Sequence, residues 1–290
     1  MNDLRYEAPE TVEAAVALLK GGDPNARILA GGTDLLVQMR EELIDEPELL
    51  VDIKRIPETR TISIDSDEIR IGAAVTGAEL GEHAELKALR PGVVEAVELI
   101  GSAQIQGRAT VGGNLCNASP AADSVPALIA AQARAQIAGP GGIREVAVED
   151  FLTGPGQTGL APGEFVVGLV MPKPPAGSGD AYLRFIPRTE MDIAVVGAGV
   201  ALSVNGDGTC AAARLALGAV AATAVVVDAA PDILIGNKLD DGALVSLAAA
   251  ASAACAPIDD KRGTIDFRIK VAGVLARRAA AIAWQRTEKD

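Results

Sequence analysis

The sequence predicts a mixed α+β fold, and three observations carry that expectation. Helix and strand patterns alternate over residues 9–53. Short paired strands joined by turn residues follow between 61 and 171. The Pro- and Gly-rich segment 172–179 then separates this part from a stretch of strands and Ala-rich helices. With 290 residues the chain has room for two or three small domains with real cores.

Each element can be argued from its residues. Val12, Ala15, Val16 and Leu19 recur with helical spacing over residues 9–20, and Gly21-Gly22 marks the stop. Residues 27–29 form a short strand running into Gly31-Gly32. Thr33 or Asp34 then caps a helix reaching about Leu43, and 49–53 is a second strand. Residues 61–64 and 68–73 alternate around Asp65-Ser66-Asp67 as a hairpin. Thr76 caps a short helix, Pro91-Gly92 introduces another over 93–100, and Asp123 or Ser124 caps a third to Ala130. Residues 134–138 and 143–148 pair across a Gly-Pro-Gly-Gly turn, and 165–171 is a further strand. Beyond the boundary, 181–186 and 192–204 read as strands, and Asn205-Gly206-Asp207-Gly208 turns the chain into 210–217. Residues 225–235 fit strand or helix equally. An Ala-rich helix starts at Asp241. The last helix spans 265–286, with Phe267, Val271, Val274, Leu275 and Ile282 facing inward and Lys270, Arg277 and Arg278 in solvent.

Composition narrows the function. A net charge of −13 disfavours nucleic acid and anionic membranes as partners. Only 2% of residues are aromatic, so a planar ligand packs mainly on aliphatic side chains and backbone. The N-terminus does not read as a signal peptide, and no uninterrupted apolar run suits a transmembrane helix. Cys116, Cys210 and Cys255 are far apart with no C-x-x-C, which argues against an iron–sulfur or zinc site within the chain and fits reduced thiols in a cytoplasmic protein. Cys116 either touches a ligand or simply packs. The single histidine, His83, lies in an acidic stretch expected at the surface, which leaves no Ser-His or Cys-His pair for nucleophilic catalysis. Gly197-Ala198-Gly199 follows an apolar run, but Leu202 occupies the third glycine position and a strand continues, so it reads as a small-residue strand rather than a dinucleotide fingerprint.

The chemistry centres on two Gly-Gly segments, Ala30-Gly31-Gly32-Thr33-Asp34-Leu35 and Thr110-Val111-Gly112-Gly113-Asn114-Leu115. Glycine permits positive φ and close backbone approach. Successive N–H groups in such turns form a concave anion site, and two facing loops can clamp a pyrophosphate. The first follows a strand and precedes a helix, where backbone donors favour phosphate.

With their flanks, these segments resemble a known family. Residues 27–36, 109–115 and 118–123, together with Arg188-Thr189-Glu190-Met191-Asp192-Ile193-Ala194 and the motifs Phe267-Arg268 and Val274–Ala279, are similar to the FAD-binding subunit of molybdenum hydroxylases. This is the xanthine dehydrogenase family, including the medium chain of carbon monoxide dehydrogenases. The resemblance implies a PCMH-type FAD-binding fold in three parts: a small α/β domain (1–56), a middle α+β domain (57–175) and a C-terminal α+β domain with an antiparallel sheet and helices (176–290). It implies non-covalent FAD contacted by Arg27, Ile28, Leu29, Ala30, Gly31, Gly32, Thr33, Asp34 and Leu35 of the first segment. From the second it implies Ala109, Thr110, Gly112, Gly113 and Asn114, with Ser119 and Asp123 toward the ribityl chain and ring, and Arg188 and Asp192 near the flavin edge. The cysteine-bearing insertion of relatives with an extra cluster is missing. The resemblance implies partners as well: an iron–sulfur small subunit with [2Fe-2S] clusters, a molybdenum-binding large subunit, and NAD, a quinone or oxygen as acceptor. Two other readings stand beside this one, a self-sufficient flavin reductase or oxidase and a flavin-free scaffold subunit.

Overall fold

The chain is described from a computed structural model covering residues 4–20 and 25–288. The expected stop at Gly21-Gly22 lies outside the described residues. The helix before it is present as Val12–Lys20 and buries Val12 and Ala15. The first sheet is parallel and three-stranded, with Arg5–Glu7 and Arg27–Leu29 on either side of Leu49–Asp52. Leu49, Leu50 and Val51 are buried, which makes this central strand the apolar floor of the unit.

The second sheet is antiparallel, in the order Ile62–Ile64, Glu68–Gly72, Phe165–Pro172, Arg134–Gly139, Gly142–Ala147. Its central strand, Phe165–Pro172, is buried over nearly its whole length, and both faces are covered. Short helices lie between its strands. The helix Gly77–Glu82 begins with a capping box, Thr76 accepting from the Glu79 N–H while Glu79 accepts from that of Thr76. The third sheet runs Ser178–Phe185, Val196–Val204, Cys210–Gly218, Val225–Val226, all antiparallel. The ambiguous stretch 225–235 is both: a two-residue strand, then the helix Ala230–Leu234.

Close approach explains the small residues of the third sheet. A Cβ on Gly199 would stand 2.5 Å from the Pro126 carbonyl oxygen, and one on Gly179 would stand 2.1 Å from that of Ala283. Helix Ser124–Ala130 therefore rests on one face of the sheet and helix Ile265–Arg286 on the other. Of the expected inward residues of the last helix, Leu275 is buried and Val271 and Ile282 pack against the same core, while Phe267 is a correction. Phe267 is exposed and stands edge-on to Phe185, with centroids 5.6 Å apart. Ala272, Ala276, Ala279, Ala280 and Ala283 are buried with Leu275 in the core between this helix, the sheet and helix Asp241–Ala253. Arg268 is buried among them, donating to the Val195 and Ala219 carbonyls and pairing with Asp260 at 2.7 Å. Among the described residues no helix is long and apolar enough to cross a membrane.

Candidate functional site

The first Gly-Gly segment leaves the carboxyl end of the parallel strand Arg27–Leu29, where open α/β sheets commonly place ligands. The helix after it is shorter than expected, Leu35–Arg40, and Asp34 makes no side-chain cap. Gly32 has φ +78°, a left-handed turn that a side chain would strain. The N–H groups of Gly31, Gly32, Thr33, Asp34 and Leu35 have no hydrogen-bond partner among the described residues. Five successive unpaired donors in one turn can meet an anion.

The second segment departs from the expected open turn. Val111–Cys116 form a short helix, and the Thr110 hydroxyl caps it by accepting from the Gly113 N–H at 3.0 Å. Neither Gly112 nor Gly113 has positive φ, so their role is spatial. A Cβ on Gly112 would lie 2.6 Å from the Ala73 carbonyl oxygen, so this glycine lets the helix sit on the middle sheet. A Cβ on Gly113 would meet only the Thr110 hydroxyl, at 2.8 Å, and otherwise open space.

The two segments touch. A Cβ on Gly31 would stand 2.1 Å from the Arg108 carbonyl oxygen, so the backbone at 31 lies directly against that at 108–109. Gln38 adds a bond across them, Nε2 donating to Asn117 Oδ1 at 3.1 Å. They border a cleft of about 960 Å³, which falls within the roughly 300–1,000 Å³ of ligand sites. Arg27, Ile28, Ala30, Gly31, Gly32, Thr33, Asp34, Leu35, Ala109, Thr110, Gly112, Gly113 and Asn114 all line it. Two acids line it, Asp34, whose carboxyl burial raises above the ordinary range, and Glu164, which the Arg144 guanidinium holds below it. Cys116 also lines it, and burial pushes its thiol up to about 12, so it faces the cleft as an unreactive neutral group.

The remaining expected contacts lie elsewhere. Leu29 is a buried strand residue. Ser119 accepts from the Ala121 N–H in the turn before helix Ser124–Ala130. Asp123 is buried at that helix start and joins the third sheet: Tyr182 donates to it at 2.9 Å and Arg184 at 2.7 Å. Burial pushes its carboxyl up to about 6 in spite of these partners. It stays near the second segment, because the hydroxyl of adjacent Ser124 donates to Asn114 at 2.6 Å. Arg188, exposed, pairs with the largely covered Asp192 on the strand-to-strand connection, with Arg262 3.4 Å from Asp192.

Sequence reasoning missed several groups. Ile100 and residues 156–166 form the far wall of the cleft; the turn signals at Pro155-Gly156 and Pro162-Gly163 mark that segment as irregular, but nothing local aims it there. Arg184 was also missed. Its guanidinium is buried, with Nε lacking a partner among the described residues.

Comparison with known proteins gives consistent results. The family described as the FAD binding domain in molybdopterin dehydrogenase matches residues 2–174, and the CO dehydrogenase flavoprotein C-terminal domain matches 181–283. The chain is 37% identical over 284 residues to the carbon monoxide dehydrogenase medium chain of Afipia carboxidovorans, covering 98% of this chain and 97% of that one. It is 30% identical over 280 residues to the xanthine dehydrogenase FAD-binding subunit of Escherichia coli, covering 96% and 95%. Among solved structures, carbon monoxide dehydrogenase from Hydrogenophaga pseudoflava, in a form lacking the Mo-pyranopterin moiety of its cofactor, superposes with a TM-score of 0.92 at 36% identity and 98% coverage of both chains.

Proposed function

The chain belongs to the family of FAD-binding subunits of molybdenum hydroxylases, and from that membership we propose that it is the electron-transfer subunit of a heteromeric hydroxylase or dehydrogenase complex. It is a flavoprotein of an oxidoreductase family, and its cofactor is FAD. In this reading an iron–sulfur subunit delivers electrons that a molybdenum subunit takes from substrate, and an external acceptor (NAD, a quinone or oxygen) removes them. Bound FAD supplies the redox chemistry, and the chain's residues supply position and electrostatics.

The observation that carries the site assignment is the run of five unpaired N–H groups at 31–35, on residues that line one cleft together with the Thr110-capped segment. This donor set suits a pyrophosphate, whose charge it meets without a single lysine or arginine having to be desolvated. We assign the cleft residues of both segments to the dinucleotide, and Ser119 and Asp123 to the ribityl side. The stretch from Arg188 to Asp192, which follows Arg184 closely, we assign to the flavin edge. The unpaired Arg184 Nε suits an acceptor atom on that side. We read the three sheets as the cores of three domains, 1–56, 57–175 and 176–290, and place the complex in the cytoplasm.

Two measurements test the reading. Heat or acid should release FAD intact from the purified chain; FMN alone, or no flavin after reconstitution, refutes the site. The isolated chain should not oxidise purines, aldehydes, aromatic heterocycles or carbon monoxide. Adding the iron–sulfur and molybdenum subunits from the same source should restore substrate-driven bleaching of the flavin band. Substrate oxidation by the chain alone, with FAD and no metal, favours the self-sufficient flavoenzyme.

A further inference from the structure

We infer that Lys54 is a positioning residue that fixes the first Gly-Gly segment in its phosphate-binding shape and thereby sets the preference for FAD over FMN. This rests on the FAD reading above. The sequence places Lys54 through strand pairing. Leu29 and Asp52 are partners in the parallel sheet, so the residues following each strand, Ala30 and Ile53-Lys54, run side by side. Asp52 ends its strand by accepting from the Lys54 N–H at 3.0 Å, which starts a single tight turn over Ile53–Arg55 and folds the lysine back.

The ammonium then has two fixed partners. It donates to the Ala30 carbonyl at 2.8 Å and stands 2.9 Å from Asp52 Oδ1. Asp52 is itself held from the other side by the Tyr6 hydroxyl, at 2.5 Å from Oδ2. Ala30 and Gly31 line the cleft and Lys54 does not, so the lysine acts from behind the segment. The Ala30–Gly31 peptide is trans, as are all described peptides. In a trans peptide C=O and N–H point in opposite directions. Holding the Ala30 carbonyl toward Lys54 therefore turns the Gly31 N–H away from it, and that is the first of the five unpaired donors. Because Asp52 neutralises the ammonium, the effect is geometric and needs no long-range attraction. A charge-assisted bond of this kind is among the stronger ones available to set a peptide plane.

The consequence is selective. FAD presents two phosphates and can use both segments at once. FMN presents one, and the second segment keeps the Val111 and Gly112 N–H groups without a partner among the described residues to meet it, the Gly113 N–H being taken by Thr110. Loosening the first segment should therefore cost FAD far more than FMN.

The full-length apo-protein can be titrated with FAD and with FMN by flavin fluorescence, for wild type, Lys54→Met and Lys54→Arg, with the apo melting temperature recorded for each. Lys54→Met should raise the FAD dissociation constant about tenfold or more and that of FMN less than about threefold, while Lys54→Arg, which keeps a charged donor, stays within about threefold for both. If Lys54→Met does not fold, Asp52→Asn, which releases the lysine from its anchor, should show the same selective loss. Equal weakening of FAD and FMN, or no change in either, overturns the inference and leaves Lys54 with a stability role alone. A wild-type chain that binds no flavin overturns instead the FAD reading on which the inference rests.

Discussion

Replacing Gly31 by alanine tests the central geometry with one methyl group. The added Cβ would lie 2.1 Å from the Arg108 carbonyl oxygen and 3.1 Å from Ala109 Cα. Both are backbone atoms, so no side-chain rotation relieves the clash. Restoring van der Waals contact requires the two Gly-Gly segments to part by roughly 1 Å. Overpacking of this sort costs about 1–3 kcal/mol. The unliganded chain can shed part of that strain by opening the cleft. A ligand that needs both segments at their native spacing reimposes it, so the penalty should appear mainly in binding. At about 1.4 kcal/mol per tenfold, the FAD dissociation constant should rise about 5- to 150-fold. Fluorescence titration reads this directly, and thermal unfolding of the apo-protein separates it from a general loss of stability. Gly141→Ala is the matched control, because nothing lies within 4 Å of a Cβ built there. If Gly31→Ala binds FAD as wild type does, the two segments do not clamp one ligand and the site assignment fails.

Gly113→Val should abolish flavin occupancy while sparing the fold: its side chain would displace the Thr110 cap and otherwise project into the open cleft. Retention of flavin in the purified variant would contradict this. Gly32→Ala should lose about 1 kcal/mol of stability from its left-handed backbone, measurable by urea unfolding. Asp180 is buried at the contact between helix Pro91–Glu98 and the third sheet, accepting from the Gly92 N–H, and burial pushes its carboxyl up to about 6. An acid raised in the folded state favours folding only while protonated, so its contribution is lost as pH rises from about 4 through 6. The rise from 3.8 to about 6 corresponds to roughly 3 kcal/mol. Asp180→Asn mimics the protonated acid; wild type should therefore become less stable relative to the variant as pH climbs over that window, and a constant difference would refute the assignment.

Much of the local architecture was determined by the sequence alone. The strand at 27–29, the Thr76 cap, the hairpins and the terminal helix all follow from short-range signals: apolar period, caps and turn residues. The order of the motifs at 27–36, 109–115, 118–123, 188–194 and 267–279 indicated the family. Tertiary structure decided what required knowing two distant backbones at once. Gly31 reads as a turn residue in sequence, whereas in space it is the point where residue 31 meets residue 108, a contact no local pattern encodes. Gly113 looks suited to positive φ, yet the Thr110 cap draws it into a helix and leaves it to keep a wall clear. Phe267 fits an inward stripe by periodicity, but in space it stands exposed at the first turn of the helix, edge-on to Phe185, while Leu275 and the alanines fill the core. Lys54 carries no motif of its own in the sequence; parallel pairing of Leu29 with Asp52 brings its ammonium behind Ala30. Local chemistry specifies elements and names the motif. The distances between strands and helices far apart in sequence decide which of those residues share a cleft, because side-chain packing and backbone approach exist only after the chain has folded.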